Sequence, residues 1–171
     1  MIQRARVPLG FIVAGAVFYL AEPTGISMAV GLPVAVAGAL LRLMAAGVIQ
    51  KDARLATTGA YAWTRNPLYF GSFLLAVGFA IMSANVIAAA LLIGASVIVY
   101  PIVIRKEERR LEQLFPEEFR RYKAQAPCFF PRFRSLKTSF SFSQYMANKE
   151  YNAAMGFVAA LGILIVKWLR C

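Results

Sequence analysis

Residues Thr58 to Gly71 read TGAYAWTRNPLYFG, and this stretch decides what kind of protein the chain forms. It sets a glycine turn, closely spaced aromatic residues, one arginine and an Asn-Pro pair between two strongly apolar regions. Asn66 suits an N-cap, and Pro67 suits a first helical position, where a missing N–H goes unnoticed. A helix start leaves backbone N–H groups unpaired and attracts anionic groups. Arg65, one residue before the cap, adds a fixed positive charge at that spot. Two readings follow: an anion-binding helix start, or a positive anchor with an interfacial aromatic belt where a helix meets a membrane.

Outward from this stretch the sequence belongs in a bilayer. The chain has 171 residues, 60% of them hydrophobic, and its mean hydropathy is +0.61. Residues 1–171 therefore read as one domain of an integral membrane protein. Lysine and arginine total 19 against 8 acidic residues, and they collect between the apolar runs. That excess marks cytoplasmic loops and anionic headgroups rather than nucleic acid, for which no motif is present. There is no histidine, which removes the usual general base near neutral pH and the commonest metal ligand. Cys128 and Cys171 are far apart and no Cys-x-x-Cys occurs, so neither a metal site nor a redox pair is expected.

The expected fold is all-α: a polytopic membrane protein of about five transmembrane helices with a cytoplasmic amphipathic helical segment. The spans run over Val7 to Ala21, Ile26 to Ile49, Phe70 to Ala84, Val86 to Ile104 and Asn152 to Leu169. Pro33 and Pro101 are points where the second and fourth spans would bend. Small residues on the second span (Gly31, Ala35, Ala37, Gly38, Ala45, Gly47) either pack helices closely or leave a groove for a lipid tail. Arg42, inside that span, either faces a cavity or partner or extends to the interface. Ser83-Ala84-Asn85 is a tight turn that makes an antiparallel hairpin of spans three and four.

Residues 105–122, RKEERRLEQLFPEEFRRY, carry apolar positions at three- and four-residue intervals, the pattern of an amphipathic helix. That helix lies along the cytoplasmic face or continues the fourth span, and Pro116 with Glu117 and Glu118 marks a restart. Residues 127–143 are irregular, basic and aromatic, suited to headgroups. Loop charge sets the orientation. The N-terminus and the 50–65 and 105–150 connections are basic and belong in the cytoplasm, whereas the turns at 22–25 and 83–85 have no positive charge. Lys167 and Arg170 then fall on the outer side.

The hairpin has its feet at Asn66 and Arg105, so the Tyr61-to-Tyr69 stretch and the Glu107-Glu108 pair meet at the cytoplasmic boundary. TGAYAWTRNPLYFG resembles the G-x-Y-x-x-x-R-H-P-x-Y-x-G signature of isoprenylcysteine carboxyl methyltransferases and phospholipid methyltransferases. Glu107-Glu108, Leu111, Phe115, Glu118, Tyr122 and Pro127 are similar to that family's E-E-x-x-L…F-G-x-E-Y-x-x-Y…P pattern. The core of the resemblance is residues 50–131.

The resemblance implies a helical membrane enzyme that takes S-adenosylmethionine from the cytosol and a lipid or lipid-modified acceptor from the bilayer. It implies cofactor contacts at Gln50, at Ala53, Arg54, Leu55 and Ala56, at Tyr61, at Asn66, Pro67, Leu68 and Tyr69, and at Glu107. The candidate catalytic residues are Arg65, Arg105 and Glu108. Asn66 stands where the family often has histidine, Pro116 replaces glycine and Phe119 replaces tyrosine. The substrate-facing arginine of the carboxyl methyltransferases falls at Val103, with Arg105 two residues on. Methyl transfer from a sulfonium is an in-line displacement, so orientation and desolvation supply much of the rate. A carboxylate acceptor needs no base, whereas for an amine or hydroxyl Glu108 is the nearest candidate. The competing expectations are a membrane reductase using NAD(P)H, whose sterol-reducing members have a similar helical architecture, and a non-enzymatic membrane protein.

Overall fold

A computed structural model describes residues 13–50, 53–133 and 140–170. The basic residues 1–6, the first part of the expected first span (7–12) and Cys171 lie outside the described residues. The chain is all-helical: α1 covers residues 13–20, followed by α2 (Gly25–Ala46), α3 (Ala60–Trp63), α4 (Pro67–Ser83), α5 (Val86–Leu114), α6 (Pro116–Gln125), α7 (Phe142–Ala147) and α8 (Tyr151–Arg170). Among the described residues the only β pairing is an isolated antiparallel bridge between Gln50 and Arg54.

Three helices, α2, α5 and α8, are long and apolar enough to cross a membrane, and α4 is a shorter apolar helix of 17 residues. Their outward faces are apolar: Val86, Ile87, Val97, Ile98 and Ile102 on α5 and Met155, Val158, Ile163, Val166 and Leu169 on α8 are all exposed. In water such a surface would be an aggregation hazard; in a bilayer it is the solvated face.

The centre of the molecule is the α2–α4 pair. Their backbones approach so closely that a Cβ on Gly31 would fall 2.5 Å from the Gly78 carbonyl, and one on Gly38 would fall 2.6 Å from the Gly71 carbonyl. Gly71 and Gly78 face back in the same way, onto Arg42 and Ala35. Of the two readings of the small residues on α2, helix packing is therefore the one realised at Gly31, Ala35 and Gly38. These positions are buried against α4 and leave no groove there.

Each helix end has a local cause. Thr24 and Ser27 form a reciprocal capping box at the start of α2. Ala84 adopts the left-handed conformation in the tight turn, and the Asn85 side chain then accepts from Ile87 and Ala88 to start α5. Beyond the apolar part, α5 continues unbroken to Leu114, and Phe115 joins it to α6 with Pro116 in the first turn. The restart expected at Pro116 is present. On α6 Phe119 and Tyr122 are buried, while the charged residues between them are exposed.

Two charged side chains fix the outer helices. Arg42 pairs with Glu150 just before α8 at 2.5 Å, and its guanidinium also donates to the Leu68 carbonyl and Ser72. The partner reading of Arg42 is thus realised, and the partner lies in the turn between α7 and α8. At the opposite end Lys167 donates to the carbonyls of Phe18 and Tyr19 at 2.8 Å and of Ala21 at 2.5 Å. A lysine ammonium there satisfies the last carbonyls of α1, where the helix dipole favours a cation. α8 therefore runs from the end holding the 47–66 connection to the end holding the 22–25 and 83–85 turns.

Candidate active site

The site is built where α4 begins and α5 leaves the apolar layer. Gly59, with φ of 61°, turns the chain into the short α3, which places Tyr61 inward and Thr64 at the threshold of α4. A strap, residues 126–133, closes over that threshold. Arg65 N–H donates to the Pro127 carbonyl at 2.9 Å, and Arg132 N–H donates to the Trp63 carbonyl at 2.9 Å. The fully buried Thr64 hydroxyl donates to the Cys128 carbonyl at 3.2 Å. Phe129 packs edge-on against Phe70 and Phe73.

Asn66 begins α4 by position, but its side chain does not cap the helix. Its amide donates instead to the Cys128 carbonyl at 2.9 Å and more weakly to Glu108 at 3.4 Å. The strap carbonyl and the carboxylate are acceptors in need of a donor, and they take the amide away from its own helix. Arg65 is similarly committed. Its Nε donates to Glu108 at 2.8 Å, and its Nη1 donates to the carbonyls of Ala126 at 2.9 Å and Lys123 at 3.2 Å. The Arg65 and Glu108 side chains are only 12% and 16% exposed. Arg65 is thus a hub joining α4, α5 and the strap rather than an isolated positive charge.

The two neighbouring carboxylates diverge. Glu108 accepts from Arg65, Asn66 and the Cys128 thiol, the last at 3.6 Å. Glu107 points to the other side, where it accepts from the Tyr69 hydroxyl at 2.8 Å. Tyr61 lies in that same interior region, its hydroxyl held well above the ordinary tyrosine range by burial and then by Glu107. The Tyr122 hydroxyl is also raised by burial, which Arg65 opposes, and it donates to the Tyr61 carbonyl at 2.6 Å. Both phenols therefore stay protonated and can donate near neutral pH.

Separate from this cluster is a cavity of about 320 Å³ at the 47–58 connection, lined by Gln50, Arg54, Leu55 and Ala56 together with Phe140, Ser141 and Gln144. The structure thus gathers Arg65, Asn66, Tyr69, Glu107 and Glu108 into one cluster, with Tyr61 beside it and Pro67 and Leu68 in the same first turn of α4. Gln50, Arg54, Leu55 and Ala56 line the cavity, and Ala53 lies in the turn between them. Arg105 belongs to neither group: it is exposed on the outer face of α5, in a shallow groove with Ile102, Lys106 and Arg109. Among the described residues no three of His, Cys, Asp and Glu come together as a metal would require.

Residues 42–118, which contain both the α4 threshold and the two carboxylates, match the phospholipid methyltransferase family. Over this region the chain belongs to that family. The chain is also 36% identical over 117 residues to the nickel-cobalt-cadmium resistance protein NccN of Alcaligenes xylosoxydans xylosoxydans, covering 68% of this chain and 54% of the relative. It is 33% identical over 117 residues to the cobalt-zinc-cadmium resistance protein CzcN of Cupriavidus metallidurans, covering 53% of that protein. The protein-S-isoprenylcysteine O-methyltransferase of Mus musculus is 31% identical over 91 residues, 48% of this chain and 29% of that protein. The chain spans about half the length of the two resistance proteins. No solved structure matches it.

Around this phospholipid methyltransferase segment the structure places residues that the sequence motifs do not single out. Thr64 and Cys128 join the strap to α4, and Glu150 holds Arg42 beside Leu68. Phe140, Ser141 and Gln144 line the cavity. Each depends on a partner distant in sequence, and no local spacing announces it.

Proposed function

We propose that the protein transfers a methyl group from S-adenosylmethionine to a lipid-embedded or lipid-modified acceptor at the cytoplasmic membrane face. The observation that carries this reading is that Glu107 and Tyr69 meet, at 2.8 Å, inside the segment matching the phospholipid methyltransferase family. A half-buried carboxylate beside aromatic rings at a helix start suits a ligand bearing both an ammonium and a sulfonium. Glu107 would hold the ammonium, the α4 first turn from Asn66 to Tyr69 the carboxylate, and Tyr61 and Tyr69 the cationic centre. Gln50 and the Ala53-to-Ala56 segment would hold the nucleoside. Bound there, S-adenosylmethionine supplies an electrophilic methyl group.

The chain's own residues then orient and exclude water. Arg65 and Glu108, tied to the strap, keep the site's wall in place, so a base role for Glu108 requires it to exchange Arg65 for the acceptor. Arg105, on the outer face of α5, is positioned to meet an anionic headgroup before the acceptor reaches the site. In this reading the apolar run of residues 7–21 and α4 also cross the bilayer, the five crossings expected from the sequence, with the basic end of the bundle in the cytoplasm. The acceptor remains a class, lipid or lipid-modified, with oxygen or nitrogen as its nucleophile.

The test is a calorimetric titration of purified protein with S-adenosylhomocysteine and, separately, with NADPH, followed by incubation of membranes with labelled S-adenosylmethionine and extraction of lipids. Saturable binding of the first ligand and label in the lipid fraction are expected. Binding of NADPH alone would favour a reductase, and binding of neither would leave a non-enzymatic protein.

A further inference from the structure

The family match ends at residue 118, yet the cavity at the 47–58 connection has a wall from much further along the chain. That wall is α7 and the two residues before it, and it is fixed deliberately to the end of α2. The Asn148 amide donates to the carbonyls of Ala46 at 2.9 Å and Ile49 at 3.0 Å, and Ser141 N–H donates to the Gly47 carbonyl at 3.0 Å. The Ala46 carbonyl is one of those that a helix end leaves unpaired, and Gly47 and Ile49 follow it in the chain. Gly47 is a close-approach position: a Cβ there would collide with the Phe140 ring. Tyr145 is buried behind the wall, and the Ser141 side chain accepts from Gln144 N–H to start α7.

The chemistry of the lining points to one ligand class. Gln50, Thr57 and Thr58 on one side and Ser141 and Gln144 on the other are uncharged donors and acceptors, and Phe140 adds an aromatic face. About 320 Å³ lies near the lower bound of the roughly 300–1,000 Å³ usual for small-molecule pockets. An acyl chain would leave these polar groups unpaired, and among the described residues of the lining a multiply charged phosphate would find Arg54 as its cation. A nucleoside satisfies both requirements, offering hydrogen-bonding edges and an apolar face.

We propose that α7 forms the second wall of a nucleoside pocket, in which Ser141 and Gln144 bind the polar edge of the ligand and Phe140 covers its face. This rests on the S-adenosylmethionine reading and extends it to residues outside the family segment. In that arrangement the nucleoside lies between α7 and the 47–58 connection, and Glu107 serves the amino-acid end.

Two ligands separate the ends: S-adenosylhomocysteine, which has both, and 5′-methylthioadenosine, which keeps the nucleoside and lacks the amino acid. Calorimetry on the purified full-length chain should show Gln144→Ala and Phe140→Ala weakening both ligands by about three- to tenfold, the scale of one or two lost contacts. Glu107→Gln should weaken S-adenosylhomocysteine alone. On the unaltered protein, either ligand should slow amide hydrogen exchange across residues 141–147, a readout that does not depend on a variant folding. If S-adenosylhomocysteine binds the unaltered protein while the α7 variants bind as tightly and exchange is unchanged, the α7 wall is overturned and the methyltransferase reading stands. If the unaltered protein binds neither ligand, both are overturned.

Discussion

Glu107 and Glu108 are adjacent in sequence, and the structure gives them different work because neighbouring helical residues point about a quarter-turn apart. Glu107 has Tyr69 as its donor, so Glu107→Gln should reduce S-adenosylhomocysteine affinity about ten- to a hundredfold, the equivalent of roughly 1.5–3 kcal/mol. Unchanged affinity by calorimetry would remove Glu107 from the site. Glu108 instead governs the strap, and Cys128 reports on it. Desolvation, the Glu108 charge and the hydrogen bond to Glu108 all raise the Cys128 thiol above its ordinary range, while Arg65 lowers it. Because only the thiolate reacts, alkylation of Cys128 should rise at higher pH than that of a free thiol. Glu108→Gln removes the negative charge and leaves Arg65, so the alkylation profile should shift to lower pH. A shift the other way, or none, would show that the strap is not seated on Glu108.

At the scale of elements, the α2–α4 contact sets the geometry on which the site depends. Gly38 meets the Gly71 carbonyl and the first half of α4, whereas Gly94 on α5 has open space around it. Gly38→Leu should therefore force the helices apart and lower thermal stability in detergent by more than the roughly 1–3 kcal/mol typical of overpacking. Gly94→Leu should change stability little, since its side chain enters lipid. Equal tolerance at both positions would mean that the helices do not pack through their glycines. The small-residue spacing on α2 was legible in the sequence, but it left packing and a lipid groove equally open. The choice between them needed the partner helix, because only the facing glycines of α4 show that the gap is filled by backbone.

For the whole molecule, the two ends of the bundle differ in charge and in chemistry. The end with α6, the strap, α7 and the 47–66 connection carries the candidate site, and the other carries the 22–25 and 83–85 turns. With the native cysteines replaced, single cysteines at the exposed positions Thr57 and Gln125 should react with an impermeant reagent only from the cytoplasmic side. One at the exposed Thr24 should react only from outside. The reverse pattern would put the site away from the cofactor pool. Lys167 does not weaken this orientation, because its charge is bound to three carbonyls at the end of α1. A positive charge committed to a helix end is no longer a free loop charge of the kind that biases topology.

By itself the sequence determined the all-helical class, the α4–α5 hairpin and the meeting of the 61–69 stretch with Glu107 and Glu108, but not the short helices α3 and α7. Hydrophobic runs and the three-residue turn are local signals, and a hairpin that short leaves one way for its feet to lie. Only the tertiary structure decided that Arg42 pairs with Glu150, 108 residues away, that Asn66 gives its amide to the strap, and that α7 docks on the end of α2. In each case a part-buried donor needs an acceptor, and an unpaired group away from water is costly. That requirement selects a partner by position in space, and spacing along the chain carries no record of it.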